Sequence, residues 1–203
     1  MHTTSKLLVL VASLLFVALY FVPLWQITML APQYPEGIGL YIWINEISGM
    51  RPNNLESMNI LNHYIGMKAI VPESIPELRI MPYIAGFFIL SGLVVVLRKK
   101  RSLLTAWLIL LVVTGSVGLV DYYLWGYDYG HNLDPNAAIK IPGMAYQPPL
   151  IGTKQILNFR ATSLPHLGGY LYLASILLAA VAWYLDVKRD TRANSQQPAS
   201  AIG

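Results

Sequence analysis

The sequence has no cysteine and few charges. Without thiols there is no disulfide framework, no cysteine-built zinc site, no iron–sulfur cluster and no thiol nucleophile. Charged residues make up 12% of the 203 and hydrophobic residues 55%. A soluble domain carries about a quarter charged residues. Other patterns are missing too. There is no phosphate-cradling glycine loop, no nucleophile elbow, no HExxH and no histidine pair at haem spacing within the apolar runs. No internal repeat is visible.

What is present is apolar length. Mean hydropathy is +0.50, and four runs approach the roughly 20 residues that cross a hydrocarbon core as a helix. They lie at about 7–30, 81–98, 103–125 and 167–186. The first follows Lys6 and has the look of a signal peptide. Its run exceeds an h-region of about 7–15 residues, and no small-x-small cleavage site follows, so a retained anchor is the expectation.

The pI near 9.2 would suggest nucleic acid if the basic residues formed one patch. They sit at the ends of the apolar runs instead, which serves membrane orientation. One end collects Lys6, Arg98, Lys99, Lys100, Arg101, Lys188, Arg189 and Arg192 against Asp186 and Asp190. The "RKKR" string at Arg98–Arg101, which leads into the tight turn at 99–102, is the strongest signal, because short loops count most. Both termini are then expected in the cytoplasm of a bacterial inner membrane, with loops 31–80 and 126–166 outside. The tail 187–203 is polar and expected to be disordered.

The expected fold class is therefore an all-α membrane protein. Four transmembrane helices carry two long extracytoplasmic loops that form a small mixed cap. In the first loop, Leu40, Ile42 and Ile44 alternate with Tyr41, Trp43 and Asn45 as in a short strand. A helix over 54–69 follows, with Asn53 or Asn54 as its cap and Pro72 beyond its end. Gly66 either permits close approach of another segment or stops that helix early. The second loop is rich in Gly, Pro and Asn, and "KQILNFRAT" has strand character.

The loops hold imidazoles and thioethers. On the expected helix, Asn59, His63 and Met67 are four residues apart and share a face. The second loop adds His131 and Met144, with His166 where "SLPHLGGY" enters the last span. Met58 and Met81 complete the set. Thioethers select soft metals, above all Cu(I), and imidazole suits copper as well. Asn62 and Asp128 are candidates to support the ligands. The plainer reading is that the histidines are hydrogen-bonded and that Met67 and Met144 fill gaps in a core. Asp121, near the outer end of the third span, is either a proton-relay residue or a solvated interfacial carboxylate. Gly168 and Gly169 suit close packing.

Four strings sharpen this. "YPEGIGLYIW", "LNHYIGMKAI", "GHNLDPNAAIKIPGMAYQPPLIGTKQILNF" and "ATSLPHLGGY" resemble small integral membrane proteins encoded beside nitrous-oxide reductase maturation genes. The resemblance covers roughly residues 30 to 170. That family has no settled activity, and His166, within the last string, is a weaker candidate than the other histidines. The resemblance implies a setting: copper delivery to an exported copper enzyme, beside a periplasmic copper chaperone. It favours His63, Met67, His131 and Met144 as Cu(I) ligands, with no substrate bond made or broken. Neutral imidazole is needed for binding, so affinity is expected to fall below about pH 6. Two other readings remain open. One is a non-metal accessory or scaffold subunit of a membrane redox or export complex. The other is a small transporter or quinol-interacting subunit using Asp121 and His166. Membrane lipid is an expected partner in each, and nucleic acid in none.

Overall fold

The computed structural model describes residues 1–195, with the side chains of 190 and 192–195 left aside. Among the described residues, five α-helices and five strands are arranged in blocks: α1 (Thr3–Ala18), β1 (Trp25–Ala31), β2 (Tyr34–Ile42), β3 (Ile47–Gly49), α2 (Asn54–Ile65), α3 (Glu77–Arg98), α4 (Arg101–His131), β4 (Gly152–Ile156), β5 (Phe159–Pro165) and α5 (Leu167–Ser195).

Three helices, α3, α4 and α5, are long and apolar enough to cross a membrane. The expected fourth span over 7–30 is not a span of that kind. Its helix α1 has 16 residues, about 24 Å at 1.5 Å per residue, which falls short of a core about 30 Å thick. Pro23 lies in the connection, and the remainder of the run is strand β1. Gln26 and Thr28 explain the switch. They alternate with Trp25, Ile27 and Met29, which is the two-residue period of a half-buried strand.

The all-α expectation gives way to an antiparallel five-stranded sheet of order β3-β2-β1-β5-β4. β1 is central, pairing Ile27 with Leu40 on one side and with Ser163 on the other. The second loop therefore contributes a hairpin to a sheet begun by the first. "KQILNFRAT" spans that hairpin: β4 turns at Leu157, φ +56°, into β5.

α1 joins α3, α4 and α5 around a core of Val9, Phe16, Phe88, Trp107 and Leu111, each 2% exposed or less. Polar side chains fasten these helices. Ser175 Oγ donates to the Ala12 carbonyl at 3.0 Å, and Trp183 Nε1 donates to Thr105 Oγ1 at 3.0 Å. Such bonds hold helices where lipid supplies little driving force. A second core, with Ile27, Leu40, Met58 and Leu78, lies between the sheet, α2 and the ends of α3 and α4 nearest the sheet.

The two units are joined at a few points. Ser163, fully buried, accepts from Trp25 Nε1 at 2.8 Å and lies 2.9 Å from the Tyr122 hydroxyl of α4. Its own hydroxyl reaches the Leu150 carbonyl at 3.1 Å. The first amides of α5 donate to the connection after α1: His166 and Gly169 to Leu24, Gly168 to Pro23. These are donors a helix start leaves without intrahelical partners. A Cβ on Gly168 or Gly169 would lie 2.7 or 2.6 Å from those carbonyl oxygens. α5 also continues through 187–195 as helix, where a disordered tail was expected. Residues 196–203 of that tail lie outside the described residues.

Candidate functional site

The two long loops meet where α2 and α4 end. α2 stops at Ile65, four residues short of the expected 69. Gly66 adopts φ +82°, a conformation costly for residues with a Cβ. Its amide donates to the His63 carbonyl, and the Met67 amide donates to Asn62 at 2.8 Å. Together these form a Schellman ending. The second loop seats directly on it. Asp134 N donates to the Gly66 carbonyl at 2.8 Å, and Ile139 N donates to Tyr64 at 2.9 Å. A Cβ at Gly66 would lie 2.9 Å from the Ala137 Cβ. Lys68 Nζ pairs with Asp128 of α4 at 2.7 Å, and the Tyr129 hydroxyl donates to the Ala69 carbonyl at 3.3 Å.

This ending revises the expected shared face. His63 closes α2 and is exposed, whereas Met67 lies past the helix and turns inward. Met67 and Met144, one from each loop, pack against the same buried cluster of Tyr146, Ile156 and Ala161. Asn59, the third member of the expected face, is occupied elsewhere. Its amide both donates to and accepts from the Ile70 backbone, at 3.0 and 2.7 Å.

His131 ends α4 and is exposed. Its ring stacks on Tyr127 with centroids 3.9 Å apart. Nδ1 lies 3.0 Å from the Tyr127 carbonyl oxygen. A carbonyl only accepts, so Nδ1 carries a proton, and in the neutral ring the lone pair is then on Nε2. A backbone carbonyl commonly fixes a ligand histidine in this way. Asp128 was the expected orienting group, but its carboxylate is held by Lys68 and by the Asn132 side-chain amide. Asn62 is buried, with Nδ2 3.5 Å from the Lys68 carbonyl.

The weaker candidates lie elsewhere. Met58 is 4% exposed in the core beneath the sheet, and Met81 packs into the helical core. His166 packs edge-on against Tyr41, centroids 5.1 Å apart, and its buried Nδ1 has no hydrogen-bond partner. Asp121 is exposed and stands 20 residues beyond Arg101, about 30 Å along α4. That is the far edge of a hydrocarbon core. Among the described residues, no group of three or more His, Asp or Glu side chains is placed to hold a metal. A soft-metal site would thus draw on the thioethers.

Sequence reasoning passed over Lys68 and Tyr127. The Tyr127–His131 spacing of four was a legible signal, since helical neighbours at that distance touch. No protein-family profile matches the chain, and neither does any curated protein sequence.

Proposed function

We propose that this protein is an anchored copper-binding assembly factor of the bacterial inner membrane. Its sheet domain faces the periplasm, and it passes Cu(I) to an exported copper enzyme such as nitrous-oxide reductase or receives it from a chaperone. The observation that carries this reading is the loop junction. Segments bearing His63, Met67, His131 and Met144 converge on Gly66, although the sequence separates them by up to 81 positions. The donor chemistry fits a soft cation. Two thioethers share one apolar cluster, and His131 offers Nε2 with its other nitrogen fixed. Met67, Met144 and His131 would hold the metal, with His63 on the exposed rim. Copper is cargo here, so exchange of ligands is the only chemistry required.

The test is copper stoichiometry on detergent-purified protein loaded with Cu(I) under a competing chelator. About one chelator-resistant copper per chain is expected, given the strength of dedicated sites. His131→Ala/Met67→Ala is expected to lose it. A folded wild type that retains no copper would end the metal reading.

One observation favours a second reading, a non-metal docking subunit. Ile60, Tyr64, Val71, Ile139 and Ile141 are all more than 40% exposed on segments at or near the junction. Co-purification of a stoichiometric partner by copper-free protein would support it.

A further inference from the structure

Among the described side chains, the end of the helical unit opposite the sheet carries more cations than carboxylates. α3 ends at Arg98 and α4 begins at Arg101, with Lys99 and Lys100 alone between them. Lys99 adopts a left-handed φ of +56° to close so short a turn. Lys188 and Arg189 sit near the same level on α5. Arg98, Lys99, Lys100, Lys188 and Arg189 are all exposed. Asp186 is the one carboxylate among the described side chains at this end. It is 2% exposed and turned to α1, where its Oδ1 accepts from Ser5 Oγ at 2.7 Å. No described carboxylate pairs with Arg98, Lys99 or Lys100.

Depth indicates which class of anion these cations would meet. From Glu77 to Arg98 α3 has 22 residues, about 33 Å, close to the thickness of a hydrocarbon core. The turn therefore lies at headgroup level, where phospholipid phosphates are. Directly below it Leu90, Val94 and Leu97 are 66, 48 and 75% exposed. Their spacing of four and three puts them on one face, a track about 10 Å long for an acyl chain.

We infer that the Arg98–Lys100 turn is a binding site for an anionic phospholipid. The three cations take the phosphate, and the Leu90–Val94–Leu97 stripe takes a chain. Phosphate offers several acceptor oxygens, which suits a guanidinium beside two ammonium groups. Basic residues at an anionic membrane surface each add to binding, and the effect is screened by salt.

The experiment uses the full chain, purified in neutral detergent and stripped of lipid. It is titrated with phosphatidylglycerol or phosphatidylcholine of identical chains, and bound lipid is counted by native mass spectrometry. Phosphatidylglycerol is expected to bind preferentially, and Lys99→Gln/Lys100→Gln to weaken it about tenfold or more. Lys99→Arg/Lys100→Arg should retain it, as should Lys140→Gln/Lys154→Gln at the other end. Equal retention of the two lipids overturns the proposal, as does full preference in the Gln variant. Displacement of the lipid by millimolar inorganic phosphate would assign the turn to free anions and overturn it as well. If the Gln variant does not fold, wild type decides alone: the preference must fade as salt rises.

Discussion

Gly66 and His131 are single residues on which the junction depends. At Gly66 the chain must hold φ +82° while Asp134 and Ala137 press on the position a Cβ would take. Gly66→Ala pays about 1–2 kcal/mol for the backbone alone, before any crowding. The expected outcome is local: faster hydrogen exchange at 61–70 and 131–141, with the spanning helices unchanged. Unaltered exchange there would show that the seat tolerates a methyl group. At His131 the prediction is the tautomer. Nitrogen-15 spectra of histidine-labelled protein above pH 8 should show Nδ1 protonated and Nε2 bare. The reverse tautomer would remove Nε2 as a donor atom. The sequence made His131 visible as a candidate but supplied the wrong orienting group. Asp128 precedes it by three positions, yet Lys68 arrives from the other loop to take that carboxylate. A contact 60 positions distant leaves no local pattern to read.

At the scale of elements, β1 is where pattern and outcome diverged. Residues 7–30 look like one apolar run, and composition alone favours one helix. The run divides because Trp25, Ile27 and Met29 find β2 and β5 on either side, and a pleated ladder satisfies every backbone group that a longer helix would have satisfied. Ser163 is the fastening that this produces. Ser163→Ala would strand the Trp25 indole N–H and the Tyr122 hydroxyl in a buried place. Each unsatisfied buried group costs about 1–3 kcal/mol, so a loss of about 2–6 kcal/mol is expected in thermal or chemical unfolding. Tyr122→Phe, which leaves Trp25 its acceptor, should cost less. Equal stability of Ser163→Ala and wild type would mean that water replaces the hydroxyl. By contrast, the end of α3 and the start of α5 were legible from their runs, although α3 begins four residues before the expected 81 and α5 continues nine residues beyond 186. Their burial pattern is governed by lipid, a solvent that needs no particular neighbour.

For the whole molecule, the lack of cysteine becomes an experimental advantage. A single cysteine introduced at Lys154, on the sheet, or at Lys99, in the basic turn, is the only thiol in the chain. In cells with an intact inner membrane, Lys154→Cys should react with a maleimide that does not cross that membrane, and Lys99→Cys should react only after permeabilisation. The opposite result would invert the proposed orientation and move the junction to the cytoplasm. Sequence alone was enough for three long apolar helices of the kind that cross a membrane, for their approximate positions, and for the residue types the loops can offer a ligand. Those properties follow from transfer free energy and length, which are sums over neighbouring residues. The tertiary structure alone decided that the loops share one sheet, that α1 stops short of a full span, and that Met67 turns inward while His63 stays out. These depend on strand pairing across as many as 140 positions, on one left-handed glycine and on side-chain contacts between the loops, and no local window of sequence contains both partners.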